Sequence, residues 1–215
     1  MLTVDEIKEL YDRLGARQDR SAYYEDAALA ELVAPAKFVR AQSVFEFGCG
    51  TGPVAAHLLA SQLPSSARYY AVDLSSTMVQ LAAARVSRWS NRTLVAQTGV
   101  AVHVPLLDAS VDRFVSLYVL DILPEDAIGR LLSEARRVLT AGGRLCVISL
   151  TYGATRYARL WSWGWQRVYQ FRPCLVGGCR PLRLHALLHE EWHVVHSAVV
   201  TVRGISSEIL VATPG

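Results

Sequence analysis

No stretch of about eighteen uninterrupted apolar residues occurs in the sequence, so a membrane-spanning helix is not expected. The opening segment, MLTVDEIKELYDRLG, lacks the apolar core and small-residue cleavage site of a secretory leader. A basic tract is missing too: 22 Lys and Arg against 19 Asp and Glu are spread along 215 residues, for a formal net charge of +3. Nucleic-acid binders gather their charge on one face, so that class of partner is not expected. Internal repeats and low-complexity segments are absent. Cysteine is scarce, and two of the four (Cys49 and Cys146, with Cys174 and Cys179) fall in core-strand contexts, which predicts free thiols in a reducing cytoplasm.

What is present is a chain that is 52% hydrophobic, enough for one well-cored domain. Residues 4 to 17 and 21 to 34 carry apolar positions at helical spacing, broken near Gly15 and ended by Pro35. β-rich runs at 43–47, 68–72, 92–96, 112–117 and 143–150 then alternate with helical stretches at 53–63, 76–89 and 125–139. Pro53, Ser75 and Pro124 suit helix starts, and Gly142-Gly143 reads as closing the third helix. Such alternation predicts a doubly wound α/β fold, whose ligands bind beyond the carboxyl ends of the strands. HVVHSAVVTV and SSEILVA read as two final strands, joined at Arg203 and Gly204 as an antiparallel hairpin.

The segment VFEFGCGTGPVA, residues 44 to 55, puts Gly48, Gly50 and Gly52 directly after the first strand. Glycine lets a backbone approach a ligand and adopt angles other residues resist. The helix that follows offers free N–H groups and a positive dipole end. Asp73 ends the second strand, where a carboxylate can accept hydrogen bonds from ribose hydroxyls. Together these predict a nucleoside cofactor. The dinucleotide pattern G-x-G-x-x-G is not met; the chain has E-x-G-x-G-x-G, with Glu46 on the strand.

That pattern resembles the class I S-adenosylmethionine (SAM)-dependent methyltransferases. FEFGCGTG is similar to their first motif, and YAVDLSSTMVQLAAAR to their second. HVPLLDASVDRFVSLYVLDIL and LLSEARRVLTAGGRLCVISL resemble the segments around their fourth and fifth strands. The resemblance spans about residues 40 to 150, while the chain's two ends look like those of an uncharacterised bacterial branch. It implies a Rossmann-like fold: a central, mostly parallel seven-stranded sheet with an antiparallel C-terminal hairpin strand and helices on both faces. It also implies SAM as cofactor, with S-adenosylhomocysteine as product. A single domain is expected: a helical cap (1–40), a SAM-binding core (41–151), a lid or substrate segment (152–190) and C-terminal strands (191–213).

The resemblance carries over residue by residue. Asp73 and Leu74 take the ribose end and Met78 packs on the adenine. The backbone amides of Gly48, Cys49 and Gly50, near Glu46, face the methionyl part. Tyr118 walls the methyl group. Many relatives hold the adenine amino group with an Asp where this chain has Gly99-Val100-Ala101, so Gly99 and Val100 backbone groups, with Thr98, are expected there instead. One missing charge-assisted hydrogen bond weakens binding by roughly 1.5–3 kcal/mol. Asp121 is the first candidate for a catalytic, substrate-side group, its alternative being a cap for the helix at Pro124; Tyr11 is the second catalytic candidate and, with Tyr23 and Tyr24, belongs to helices expected to fold over the cofactor.

Trp161, Trp163 and Trp165 alternate in an arginine-bearing stretch, residues 152–172, and cannot all share one helical face. A lid for an apolar or aromatic substrate, core packing and membrane-surface contact are the readings open to it. HEEWH, 189 to 193, fits a zinc pattern only on a continuous helix, and the β-like run after it speaks against one, so no metal is expected. Cys174 and Cys179 read as incidental thiols, with arsenite binding as the rival. The expected function is methyl transfer from SAM to a small apolar or aromatic molecule; the alternative is a non-catalytic SAM-binding regulator or scaffold.

Overall fold

The computed structural model describes residues 2–99, 103–188 and 191–215. Helix α1 (Val4–Leu14) starts at a capping box, in which Thr3 accepts from the Glu6 N–H while the Glu6 carboxylate accepts from the Thr3 N–H. Gly15 ends it at φ 49°, and a 3₁₀ segment (Gly15–Ser21) leads into α2 (Ala22–Ala36). Pro35 sits in the last turn of α2, so the helix runs slightly past its expected end. The terminal carbonyls of α2 are held from the sheet: Arg113 donates to Ala36 O at 2.6 Å and Lys37 O at 2.9 Å, and Arg144 donates to Pro35 O. Two guanidinium groups at a helix C-terminus complement its dipole and satisfy its last carbonyls.

The expected strands form one sheet from β1 (Ser43–Phe47), β2 (Arg68–Asp73), β3 (Thr93–Gln97), β4 (Val111–Leu117), β5 (Leu139–Thr151), β6 (Trp192–Val202) and β7 (Ile205–Pro214). Their order is β3-β2-β1-β4-β5-β7-β6, with the first five parallel and β7 antiparallel to both neighbours. Arg203 and Gly204 turn the hairpin at φ 49° and 92°, the doubly positive geometry of a type I′ turn. Crossover helices α3 (Pro53–Ser61), α4 (Ser76–Arg85) and α5 (Glu125–Val138) complete the alternating units, and α6 (Arg156–Phe171) and α7 (Leu184–Leu187) precede the hairpin. Two apolar cores cover the two sheet faces, one around Leu32, Phe38, Leu58 and Tyr69, the other around Phe45, Phe114, Leu131 and Leu210. This is the mostly parallel, seven-stranded architecture expected.

Gly142-Gly143 does not close α5. The chain is already extended at Leu139, and the glycines lie inside β5, where a Cβ on Gly143 would stand 2.9 Å from Thr140 O and from Leu139 Cδ2. All four cysteines are free. Among the described residues no helix is long and apolar enough to cross a membrane.

Candidate active site

Strand order reverses between β1 and β4, and there the sheet opens onto a cavity of about 500 Å³. Its floor is the glycine loop with Asp73, Leu74, Thr98 and Gly99; its roof is the N-terminal cap, through Ile7, Tyr11, Glu25 and Leu29. Tyr118, Val119, Ile122 and Leu123 close one side.

The three glycines do three different things. A Cβ on Gly48 would lie 2.3 Å from Val119 Cγ2, so its bareness lets β1 and the end of β4 meet. On Gly52 it would stand 3.0 Å from Ala82 Cα and Cβ, so that glycine seats α3 on α4. At Gly50 it would meet nothing within 4 Å: the space beside this residue is open cavity. The amides of Gly48 to Gly50, expected to face a ligand, are otherwise engaged. Gly48 and Cys49 donate to Val72 O at 2.8 and 3.0 Å, and Gly50 donates to Asp73 Oδ2 at 2.8 Å. What the loop presents to the cavity is the missing side chain of Gly50.

Asp73 lines the cavity and also accepts from the Ser75 N–H at 2.9 Å through Oδ1. Burial raises its pKa, against the lowering effect of those backbone bonds. A carboxylate offers about four acceptor positions, so capacity remains for two hydroxyls. Glu46 is buried, accepts from Tyr69 Oη at 2.9 Å, and is pushed up by burial to about 8, so at neutral pH it carries its proton. Cys49 is buried in the loop, and burial pushes its thiol far up. Leu74 and Gly99 stand in the cavity wall; Val100 lies outside the described residues. Met78 is fully buried in α4, its N–H taken by the Ser75 cap, and is not part of the wall.

Tyr118 adopts φ 57° at the end of β4, a left-handed conformation rare for an aromatic residue and of a kind that clusters at functional sites. Its hydroxyl pairs with Ser207 Oγ at 2.8 Å and its ring meets Tyr24 edge-on at 5.6 Å. Tyr11 reaches the cavity and donates to Gly177 O at 3.3 Å; burial pushes its phenol well up, so it serves as a donor, not a base.

Asp121 departs from expectation. It neither lines the cavity nor caps α5, whose start at Pro124 has no side-chain cap. The side chain is fully buried: Oδ2 accepts from the Leu150 N–H at 3.1 Å, Oδ1 has no partner, and burial raises its pKa to about 7. The segment 152–172, open to readings as lid, core packing or membrane contact, stands outside this cavity, because α6 packs its Ala158 and Ser162 side inward and turns its larger apolar residues to the outside. The roof comes from the N-terminal cap instead.

Three carboxylates of the cap, two of them in the cavity wall, escaped the sequence reading. Glu25 on α2 lines the cavity, and burial raises it to about 7. A signal existed, since Glu25 shares the helix face of Ala28, Leu29 and Leu32, all buried. Asp12 accepts from Ser75 Oγ at 2.5 Å and pairs with Lys8 at 2.8 Å; those bonds, Lys8 first, hold it well below the usual range. Asp19 accepts from Thr51 Oγ1 and from Arg85 at 2.5 Å, and against the effect of burial these bonds hold it low. The cap is thus tied to the glycine loop and to both ends of α4.

His193 lies in β6, so the continuous helix a zinc reading of HEEWH requires is not formed; His189 and Glu190 lie outside the described residues. Among the described residues no cluster of three metal-ligating side chains occurs.

Residues 44–143 match the model of the methyltransferase domain family. Over that segment, which holds the glycine loop and Asp73, the chain is similar to the SAM-dependent methyltransferases. The cofactor that goes with this family is SAM. A demethylmenaquinone methyltransferase of Symbiobacterium thermophilum is 27% identical over 159 residues, which are 71% of this chain and 62% of that protein, so the chain matches less than two thirds of its relative's length. Among solved structures, the N-methyltransferase NodS of Bradyrhizobium japonicum, in complex with S-adenosylhomocysteine, superposes with a TM-score of 0.73 at 16% identity, covering 97% of this chain and 98% of its own. The [4+2]-cyclase SpnF gives 0.72 at 17% identity, covering 99% and 97%. At such identities the likeness is one of fold, and it includes a protein named for a different reaction.

Proposed function

We propose that the chain transfers the methyl group of SAM to a small apolar or aromatic acceptor held in the same cavity. The observation that carries this reading is continuity. The glycine loop and Asp73 share one volume of about 500 Å³ with Ile7, Leu29, Ile122 and Leu123, so a nucleoside end and an apolar end adjoin without a wall between them. A volume of that size is typical of small-molecule sites.

The residues present fit the cofactor, with open space beside Gly50 and spare acceptor capacity on Asp73. When bound, SAM supplies an electrophilic methyl group on a positively charged sulfur. Asp73 would hold the ribose hydroxyls, Leu74 and Gly99 would flank the base, and Tyr118 would wall the acceptor's approach. The chain's work is alignment, exclusion of water and, for a protonated acceptor, removal of a proton. We assign that proton to Glu25: it faces the cavity from the roof, and a value near 7 suits a general base at neutral pH. Residues 1–40 then act as the cap that excludes water, over a cofactor-binding core at 41–151.

Calorimetric titration with SAM and S-adenosylhomocysteine, with NAD as control, tests the site, followed by labelled-methyl transfer to phenolic and quinone acceptors. The relative's name makes demethylmenaquinone the first to try. Tight binding of both cofactors with transfer to an apolar acceptor is expected. Binding without transfer to any acceptor would favour a non-catalytic SAM-binding protein, and absence of binding would end both readings.

A further inference from the structure

The outward side of α6 is apolar. Tyr157, the adjacent pair Leu160 and Trp161, Gly164, Val168 and Phe171 recur at helical spacing and so form a single stripe. The stripe is unusually open to solvent, with Tyr157 62%, Leu160 65%, Trp161 47% and Phe171 79% exposed. Beside it runs a groove of about 460 Å³ between α6 and the 3₁₀ turn Pro173–Val176, walled by Leu160, Trp161, Trp165 and Val176.

Charge says what covers it. From Tyr152 to Leu188 the chain carries six arginines and no aspartate or glutamate. Those six exceed the whole chain's formal net charge of +3, so the remainder is net acidic. Arg156, Arg159 and Arg167 lie on α6 and Arg172 at its end. The Arg167 guanidinium stands 5.3 Å from the ring of Trp163. A helix with an aromatic and aliphatic stripe beside arginines is built for the boundary between acyl chains and anionic headgroups. At 16 residues α6 is too short to span a bilayer and suits lying in its plane.

We propose that α6 docks this protein on an anionic phospholipid surface, the stripe facing the acyl boundary and the arginines the headgroup phosphates. Docking requires no methyl transfer and is measured without cofactor, so the two proposals stand or fall separately.

Flotation with phosphatidylglycerol vesicles and, separately, phosphatidylcholine vesicles tests it. Binding to the first, weak binding to the second, and loss at high salt are expected. Leu160→Ser with Phe171→Ser, both at exposed positions, should leave the far-UV circular dichroism unchanged and weaken binding about tenfold or more. Arg156→Gln with Arg167→Gln should also weaken binding and flatten its salt dependence. Emission from Trp161 and Trp163 should shift blue on vesicles and be quenched by brominated acyl chains. Folded protein that ignores phosphatidylglycerol at low salt would overturn the proposal, as would equal binding to both lipids or undiminished binding of the Leu160/Phe171 variant. A dimer in solution that the same variant dissolves, with no vesicle binding, would make the stripe a subunit interface instead.

Discussion

Asp73 offers the sharpest test of the cofactor site, because its carboxylate has two jobs that can be separated. In the ligand-free fold it staples the glycine loop to the start of α4, accepting from Gly50 at 2.8 Å and from Ser75 at 2.9 Å. With a nucleoside bound, its remaining acceptor positions would take two ribose hydroxyls. Hydrogen bonds to a charged group contribute roughly 1.5–3 kcal/mol each, so losing two weakens binding by about 3–6 kcal/mol, or on the order of 10² to 10⁴-fold. Asp73→Ala should therefore show that loss for S-adenosylhomocysteine by calorimetry. Asp73→Asn keeps one acceptor oxygen but turns an NH₂ group toward one of the two backbone donors, so it should also be strongly impaired. The decisive comparison uses 2′,3′-dideoxy-S-adenosylhomocysteine. If the carboxylate meets the ribose, the substitution costs this analogue far less than the parent, and the double-mutant cycle returns a large coupling energy. Equal losses for the two ligands would leave Asp73 a loop staple only and refute the ribose assignment.

Gly48 and Gly50 should fail in different ways. Gly48→Ala meets Val119 Cγ2 at 2.3 Å with φ at 79° and should lower the urea midpoint; adding Val119→Ala should restore the steric share but leave a residual backbone cost of about 1–2 kcal/mol. Gly50→Ala meets no atom, so it should pay only that backbone cost while its methyl group enters the cavity and weakens SAM binding. Burial raises Glu46 to about 8 and Glu25 and Asp121 to about 7, so the native chain keeps protons that the unfolded chain releases. Their contribution to stability is whole below about pH 4 and falls as pH rises toward 8, by up to ~1.4 kcal/mol per unit and group. Unfolding of ligand-free protein across that window checks the sign, and Glu46→Gln should flatten the slope; a rising profile would contradict it. With a protonated acceptor, Glu25→Gln should depress kcat, leave SAM affinity intact and remove the acid limb of the pH–rate profile near 7; an unchanged limb would take the proton from Glu25.

The parallel core was legible because its strands are buried on both faces, and their apolar runs stand out between helix-period segments. The cofactor end was legible for a related reason: Gly48, Gly50 and Asp73 occur together at the ends of consecutive strands. The roof was not. Asp12 meets Ser75 63 residues away and Asp19 meets Thr51 32 residues away, and no local pattern pairs them. Asp121 reads as a polar group at a strand end, but its carboxylate is met by the N–H of Leu150, 29 residues away, and its carbonyl by the N–H of Arg180 at 3.0 Å, and no local pattern announces either. The crowded aromatics of α6 signalled burial as much as exposure, and only the packing of Ala158 and Ser162 decides which side faces out.

The roof is also the part of the site that opens at least cost. Helix α1 fully buries only Ile7. Its ties to the floor are the Asp12 contacts, and the 3₁₀ segment adds Asp19–Arg85, an ion pair whose side chains are 37% and 33% exposed. Such pairs are worth about 0–1 kcal/mol each. Because Asp12 and Asp19 are held low, these ties persist across neutral pH, and salt, not proton uptake, loosens them. One further tie runs sideways: Tyr11 donates to Gly177 O at 3.3 Å, and two residues on, the Cys179 carbonyl accepts from the Trp165 indole of α6 at 2.9 Å. The face proposed to lie on lipid and the movable edge of the cavity are therefore joined through one short segment.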